Sequence, residues 1–330
     1  MAFRLRIGTR KSVMAMAQTT EIARRLSVTV PDIEVEIVKF DTTGDLDQTS
    51  KLLSHGGKGG AFVAQIRNAV REGRLQAAMH SLKDMPGNED TPGLVIGATL
   101  SRDPPGDVLV LRQGLSLEEL HRSGGKGFRI GTNAVRRVAY VRRLLPQVEV
   151  IHFRGAADTR MRKLDQREPQ RLPGGGMTEP ADGLIMARSG LERVGLSQRI
   201  VYDFPVTEML PAIGQGIVAV ECATADWQTR QILATINDDV AHRSAEAERE
   251  VLWILNGHCN SPVAGHAVIT GDRMELRAAV LDLASDRLIE VTRTGSAVRP
   301  RELGRAVGLE LLARGAAALI EATRPPDEGL

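Results

Sequence analysis

The segment HSLKDMP at residues 80–86 brings an imidazole, a hydroxyl, an ammonium group and a carboxylate together in one short stretch. It follows the apolar run at residues 75–79, which predicts a buried strand, and strands of α/β proteins commonly end in loops that carry the chemistry. Asp84 could act as a general acid or stabilise a cation. The neighbouring Lys83 favours the ionised form of its carboxylate. A solvated turn with an incidental ion pair is the alternative, and the residues alone leave both interpretations open.

Arginines recur where strands are predicted to end and helices to begin. The tetrapeptide RIGT occurs at residues 6–9 and again at 129–132, each time at a predicted strand-to-helix turn. Helix N-termini and guanidinium groups both favour anions, so two such turns across a cleft would hold a molecule with several acidic groups. Chance repetition and solvated surface arginines are the alternative. The arginines concerned are Arg10, Arg136, Arg137, Arg154 and Arg160.

The chain has two cysteines, Cys222 and Cys259, which are too few for the disulfide framework of a small secreted protein. Cys222 lies in an apolar run that predicts a core strand. Cys259 follows the predicted helix 241–256, and the carbonyl groups at a helix end disfavour a thiolate nucleophile. A buried inert thiol and a covalent attachment point both remain open for Cys259. No Cys/His spacing typical of zinc is present, so we expect no metal site.

The overall composition excludes several classes of protein. Lys and Arg number 43 against 41 Asp and Glu, and aromatic residues make up 3% of the 330 residues, which argues against a bulk nucleic-acid binder. No apolar run approaches the length that spans a membrane, and the N-terminal residues lack the apolar core of a signal peptide. We therefore expect a cytoplasmic protein with no nucleic-acid or membrane partner.

Alternating strand and helix patterns predict two α/β units with largely parallel sheets, followed by a smaller α+β domain. The last domain combines a helix, three alternating strands that predict an antiparallel sheet, and a final helix. The predicted domains are lobe 1 at residues 1–101 plus about 217–235, lobe 2 at 102–216 and a C-terminal domain at 236–330.

Nearly the whole chain, from Leu5 to about Ala318, resembles the porphobilinogen deaminase (hydroxymethylbilane synthase) family of tetrapyrrole biosynthesis. The motifs occur in the family's order, which makes the resemblance specific. They are GTR at 8–10 with Ser12, GD at 44–45, GGKG at 56–59 with Phe62, HSLKDMP at 80–86, DP at 103–104, GT at 131–132 with RR at 136–137, RG at 154–155 with DTR at 158–160, LPAIGQG at 210–216, AER at 247–249, and Cys259 with Pro262.

The resemblance implies two lobes similar to type II periplasmic binding proteins, with the active cleft between them, and a third domain that carries the cofactor. It implies a monomeric transferase that joins four porphobilinogen molecules head to tail, releases ammonia from each, and frees hydroxymethylbilane by hydrolysis. The cofactor would be a dipyrromethane bonded to Cys259, and Asp84 would be the catalytic carboxylate. The resemblance also assigns cofactor binding to Lys83, Ser81, Arg136, Arg137 and Ser12, and substrate binding to Arg10, Arg154, Arg160, Arg193 and Phe62.

The sequence departs from the family pattern at several places, two of which touch positions where substrate or cofactor would lie. An alternative therefore stays open, in which the chain is a non-catalytic bilobal binding protein or a divergent paralogue for an acidic small molecule. The departures are an extra residue at 59–61, alanines at 156 and 157, Arg188 with Ser189, His258, Asn260 with Ser261, and a long excursion at 166–181.

Overall fold

The computed structural model describes residues 3–40, 60–172, 175–258, 260–284 and 287–324. The strands of these ranges are β1 (Phe3–Arg10), β2 (Ile33–Phe40), β3 (Ala77–Ser81), β4 (Leu94–Thr99), β5 (Asp107–Leu111), β6 (Arg129–Gly131), β7 (Glu149–Ile151), β8 (Gly183–Ala187), β9 (Ile200–Asp203), β10 (Val218–Ala223), β11 (Val263–Thr270), β12 (Arg273–Leu281) and β13 (Leu288–Ser296). The helices are α1 (Val13–Thr29), α2 (Gly60–Arg71), α3 (Leu117–Arg122), α4 (Val135–Leu144), α5 (Ala157–Asp165), α6 (Arg188–Arg193), α7 (Trp227–Ala234), α8 (Asp239–Leu255), α9 (Pro300–Ala313) and α10 (Ala316–Glu321).

The strands form two five-stranded mixed sheets with the same topology. The first sheet has the order β2-β1-β3-β10-β4 and the second has the order β7-β6-β8-β5-β9. In each sheet one strand, β10 or β5, runs antiparallel to its neighbours, and each of these strands is the first that the chain forms after crossing between the sheets. This is the arrangement expected of two type II periplasmic-binding-protein-like lobes, and it confirms the predicted fold class.

The strand directions place the predicted chemistry at one edge of each sheet. Parallel strands β1 and β3 end at Arg10 and Ser81, and antiparallel β10 begins opposite Ser81. In the second sheet β6 and β8 end at the edge where antiparallel β5 begins, since Asp107 pairs with Ala187. We call these the cleft edges of the two sheets. Both crossings of the chain, at residues 100–106 and 204–217, run between them.

The helices cover the sheets through apolar faces at helical spacing. Helix α1 begins at Ser12, whose hydroxyl accepts from the backbone N–H of Ala15 at 3.3 Å, and it buries Ala15, Ile22 and Leu26 against the first sheet. The C-terminal sheet has the order β11-β12-β13, is antiparallel throughout, and packs against α8 and α9. This confirms the predicted three-stranded sheet.

Several element ends differ from the sequence-based expectations. Strand β1 continues through Arg10, where a turn was expected from Gly8, because its full length pairs with β2. Strand β3 begins two residues later than the apolar run and includes His80 and Ser81. Asn133 is a residue type that favours the N-cap position and was expected to begin α4, but Ala134 precedes the helix, since Thr132 Oγ1 accepts from the N–H of Ala134 and extends the turn.

Two further differences lie in the C-terminal domain. The expected single final helix is two helices, separated at Gly315, whose left-handed φ of 93° ends the first one. Asn256, rather than Gly257, takes the left-handed conformation that ends α8. The polar, glycine-rich residues 41–60 predict a loop; residues 41–59 lie outside the described residues, and Gly60 begins α2. The exact domain boundaries stay a prediction.

Candidate functional site

The cleft edges of the two lobes bring a small group of charged side chains together. Asp84, which follows β3 in lobe 1, interacts electrostatically with Arg137 and Arg160 of lobe 2. Lys83 interacts with the same two arginines and with Asp107, which begins β5. The structure therefore places Lys83, Asp84, Arg137 and Arg160 within electrostatic range of one another.

Lys83 and Asp84 lie on a single 3₁₀ turn, Leu82–Asp84, immediately after β3. Leu82 anchors the turn: its side chain is buried and its backbone N–H donates to the carbonyl of Ile217 at 2.9 Å. Asp84 is exposed to the cleft, whereas Lys83 is half-buried. Burial lowers the pKa of Lys83 to about 8, with Arg137 and Arg160 adding to the effect and Asp84 opposing it. The turn thus presents a carboxylate and a partly desolvated ammonium side by side.

His80 supports the strand end instead of reaching the cleft. Its Nε2 lies 3.3 Å from Oε2 of Glu221 on β10, and both side chains are buried. Arg67 of α2 donates to the same carboxylate from Nε and Nη2 at 2.9 and 3.0 Å. Burial alone would raise the pKa of Glu221, but the hydrogen bonds from His80 and Arg67 lower it to about 2. This buried pair of contacts fixes the base of the Lys83–Asp84 turn.

The two serines assigned to the cofactor have structural partners at the cleft edge of lobe 1. Ser12 caps α1 as described above, two residues after Arg10, which is half-buried. Ser81 Oγ lies 3.2 Å from both amide atoms of the buried Gln18 side chain of α1. These contacts hold α1 against the end of β3, so the two serine-bearing turns keep a fixed separation.

Arg136 and Arg137, on the first turn of α4, share one buried carboxylate. Nη2 of Arg136 lies 2.6 Å from Oδ2 of Asp107, and Nη2 of Arg137 lies 2.8 Å from Oδ1. The exposed fractions are 5% for Arg136, 6% for Arg137 and 0% for Asp107. Burial alone would raise the pKa of Asp107, and the two guanidinium groups lower it instead. Two cations on one anion leave this cluster with a net positive charge toward the cleft.

Arg160 has a buried donor for which the described residues supply no acceptor. Its Nε atom is buried and has no hydrogen-bond partner among the residues that the structure describes. Burial and, to a smaller extent, the charge of Arg137 lower its pKa to about 10, with Asp84 opposing both. A buried guanidinium donor without an acceptor costs free energy unless a ligand supplies one. Helix α5, which carries Arg160, also begins without a side-chain cap on its N–H groups.

Arg154 and Arg193 have different surroundings. Arg154 is half-buried in the loop after β7, and burial together with the charge of Arg154 lowers the pKa of the neighbouring His152. Arg193, at the end of α6, forms an ion pair with Asp103. The groups that act on the pKa of Arg193, besides its burial, are Asp103 and Glu192. In the structure, Arg193 is therefore held by Asp103.

Two assigned residues lie outside what the structure describes: Cys259 and the side chain of Phe62. The loop that contains Cys259 starts close to the end of the HSLKDMP segment, because Asn88 Nδ2 donates to Oδ1 of Asn256 at 3.0 Å. Arg249 of α8 also donates to the carbonyl of Pro86 at 2.9 Å. The other cysteine, Cys222, is fully buried in β10, and burial raises its pKa to about 11. Cys222 is thus a poor attachment point.

Sequence reasoning missed Asp107 and Gln215. Gln215 Nε2 donates to Oδ1 of Asp107 at 3.0 Å and to the carbonyl of Pro105 at 2.6 Å. One signal was available: Asp107 is a carboxylate at the first position of the otherwise apolar strand DVLVL. An acidic residue in such a strand is rarely buried without a cation, and Arg136 and Arg137 are candidate anion-binding residues from the sequence.

The described residues contain no group of three or more His, Cys, Asp or Glu side chains placed to hold a metal ion. None of the helices described is both long and apolar enough to span a membrane. The donor set at the cleft is made of guanidinium, ammonium and hydroxyl groups, which suits carboxylates. A dipyrromethane with carboxylate side chains fits this set, and the orphaned Arg160 Nε is the observation that favours it.

Comparisons with known proteins give a consistent result along the chain. Residues 5–231 match the family model "Porphobilinogen deaminase, dipyromethane cofactor binding domain". Residues 243–313 match "Porphobilinogen deaminase, C-terminal domain". The porphobilinogen deaminase of Syntrophobacter fumaroxidans is 36% identical over 318 residues, covering 96% of this chain and 97% of that protein. Porphobilinogen deaminase 2 of Streptomyces coelicolor is 36% identical over 319 residues, covering 96% of both.

Solved structures similar to the chain include a periplasmic VFT2 domain of Bordetella pertussis BvgS. It has a TM-score of 0.40 and 13% identity, and the match covers 71% of this chain and 86% of that domain.

Proposed function

Because the chain belongs to the porphobilinogen deaminase family, we propose that it is a transferase that joins four porphobilinogen molecules into hydroxymethylbilane and releases ammonia from each. The observation that carries the proposal is the pairing of Asp84 with a cationic cleft formed by Lys83, Arg137 and Arg160. Porphobilinogen carries two carboxylates and an aminomethyl group, so it needs fixed cations for binding and an anion at the reacting carbon.

The cationic and hydroxyl side chains of the cleft would bind either the cofactor or the substrate. Lys83, Arg136, Arg137 and Ser81, with Ser12, would hold carboxylates of the cofactor. Arg10, Arg154, Arg160, Arg193 and Phe62 would contact the substrate, as the resemblance implies. Arg160 is the best supported of these, because a substrate carboxylate would satisfy its buried Nε. Arg193 would need to exchange its contact with Asp103 for a contact with the substrate.

Asp84 would act at the aminomethyl carbon of porphobilinogen. The C–N bond breaks, ammonia leaves with the bonding electron pair, and positive charge spreads over the substrate pyrrole. A carboxylate held beside that ring stabilises the developing charge and can supply or accept the proton that moves. A new C–C bond then forms to the next ring and a ring proton is lost. The exposed position of Asp84 leaves it accessible to each substrate molecule in turn.

The family's dipyrromethane, when bound, supplies a free pyrrole position to which the first substrate is joined. We propose that Cys259 carries it through a thioether. Support comes from the loop's start beside Asn88, four residues past Asp84, and from the burial of Cys222. We further propose that the protein works in the cytoplasm as a monomer, and that its domains are residues 1–101 with about 217–235, 102–216 and 236–330.

The test is ammonia release from porphobilinogen by wild type, Asp84→Asn and a matched control. The control is Asp90→Asn, which alters an exposed acid in the same connection. We expect Asp84→Asn to lose about 100-fold to 10,000-fold in kcat and Asp90→Asn to stay near wild type. Wild type that binds porphobilinogen but releases no ammonia would contradict the proposal and support the non-catalytic binding protein.

A further inference from the structure

The carboxylate of Asp107 forms ion pairs with two consecutive arginines of lobe 2, Arg136 and Arg137. Consecutive residues on an α-helix point about 100° apart, so Arg136 and Arg137 would not converge without a common partner. Oδ2 of Asp107 pairs with Arg136, while Oδ1 accepts from Nε of Arg137 at 3.0 Å. Arg136 also donates to the carbonyl of Leu210 at 2.8 Å. Each guanidinium is therefore held on the lobe 2 side by at least two contacts.

Gln215 ties this carboxylate to the crossing segments of the chain. Its amide donates to Oδ1 of Asp107 and to the carbonyl of Pro105, and its Oε1 accepts from Nη2 of Arg137 at 3.3 Å. Pro105 belongs to the first crossing and Gln215 to the second. Asp107 thus has a fixed position relative to both lobes, and its 0% exposure keeps water from competing for it.

Asp84 is a second carboxylate that attracts Arg137. Asp84 interacts electrostatically with Arg137, and Asp84 is exposed while Asp107 is buried. If Asp107 carried no charge, Arg136 and Arg137 would repel each other in a desolvated setting. Arg137 would then gain most by turning to Asp84. That movement would withdraw a carboxylate-binding cation and place a counter-ion on the catalytic acid.

We propose that Asp107 is a positioning residue that holds Arg136 and Arg137 on lobe 2, available to cofactor and substrate carboxylates and separated from Asp84. The inference rests on the proposed function, since it assigns a role within the same cleft. It adds a fully buried residue that acts through the two arginines.

The test compares Asp107→Asn with a matched control in the same sheet. Asp182 is also buried and also lies beside two arginines, with Oδ1 3.0 Å from Nε of Arg112 and Oδ2 3.6 Å from Nε of Arg129. It precedes β8 at the edge opposite the cleft. Asp182→Asn therefore removes the same kind of buried charge without touching the cleft arginines.

Two readouts separate positioning from a loss of folded protein. The first is the split between KM and kcat for porphobilinogen; a smaller folded fraction lowers the apparent kcat and leaves KM unchanged. The second is cofactor loading, measured by intact mass after apo-protein is incubated with porphobilinogen. We expect Asp107→Asn to raise KM about tenfold or more and to load incompletely, whereas Asp182→Asn keeps the wild-type KM and loads fully.

A wild-type KM and full loading in Asp107→Asn would overturn the inference. If Asp107→Asn does not fold, Gln215→Leu gives a milder test, because it removes the amide that fixes Asp107 and Arg137 but keeps both charges. We expect a KM raised several-fold, and an unchanged KM would again overturn the inference. Wild type that releases no ammonia from porphobilinogen would instead contradict the proposed function itself, which keeps the two failures distinct.

Discussion

Arg102 and Glu248 join the crossing between the lobes to the C-terminal domain. Nη1 of Arg102 lies 2.5 Å from Oε1 of Glu248, and the glutamate on α8 is fully buried. The same carboxylate accepts from the backbone N–H groups of Gly214 at 2.7 Å and Ala267 at 2.8 Å. A single side chain of the C-terminal domain therefore holds both crossing segments and the first strand of its own sheet.

Replacing this carboxylate should destabilise the whole protein. We expect Glu248→Ala to lower the free energy of unfolding by about 3–5 kcal/mol, because it leaves Arg102 and two backbone donors without an acceptor. Glu246→Ala is the control on the same helix: its pair with Arg301 is partly exposed to solvent, so its loss should cost about 1 kcal/mol or less. Urea denaturation measures both, and similar losses in the two variants would contradict the role given to Glu248.

Substrate binding should weaken in alkali because of Lys83. Its pKa is lowered to about 8, so the side chain is charged below that pH and neutral above it. We expect KM for porphobilinogen to rise as pH increases through about 8, since a neutral amine binds carboxylates poorly. Lys83→Arg keeps its charge throughout this range and should show a flatter KM. The same alkaline rise in both proteins would mean that another group controls binding.

The contribution of Glu221 to the stability of the protein should depend on pH. Its folded pKa of about 2 lies below the ordinary 4.5, so its contribution is full above about pH 4.5 and is lost as pH falls toward 2. The pKa difference corresponds to about 3 kcal/mol at neutral pH. We expect the stability gap between wild type and Glu221→Gln to narrow over that window, as measured by denaturation at several pH values.

A control for that measurement is Glu118→Gln, which removes an exposed ion pair with Arg122 on α3. Its stability gap from wild type should stay within about 1 kcal/mol at every pH. A constant gap for Glu221→Gln would show that its contacts with His80 and Arg67 contribute no pH-dependent stability.

Gly216 should tolerate no side chain. Its φ is +90°, and a Cβ there would lie 2.4 Å from the carbonyl oxygen of Asp103. Gly271 has a φ of +59° and open space around a Cβ, so Gly271→Ala reports the backbone strain alone. We expect Gly216→Ala to lose at least about 2 kcal/mol more than Gly271→Ala in thermal or urea unfolding. Equal losses would mean that the crossing segment shifts freely.

Much of the fold could be predicted from local patterns. The alternation along β11 to β13 and the two-residue turn at Gly271 gave the C-terminal sheet, because one buried face sets the register of each strand. The residues at which strands and helices end were harder to predict. Strand β1 extends through Arg10 because β2 pairs with it, and Gly315 divides the last helix through a backbone conformation that composition alone does not specify.

The site was predictable as a set of residue types but not as a set of contacts. Asp84 and Arg160 were identified from motif positions, and the structure shows them within electrostatic range of each other. The partner of Arg136 and Arg137 could not be read from the sequence, because Asp107 reaches them only through the antiparallel insertion of β5 beside β8. The contact of Arg193 with Asp103 was not predicted either, because Asp103 lies in the crossing between the lobes, far from Arg193 in sequence.

The intact mass of the purified protein, produced in a host that makes porphobilinogen, tests the central claim most directly. Wild type and Cys222→Ala should both carry an added mass equal to one dipyrromethane, because Cys222 is buried in β10. Cys259→Ala should have only the mass of its polypeptide and should release no ammonia in the assay. An unmodified wild-type protein, or an adduct that persists in Cys259→Ala, would contradict the account.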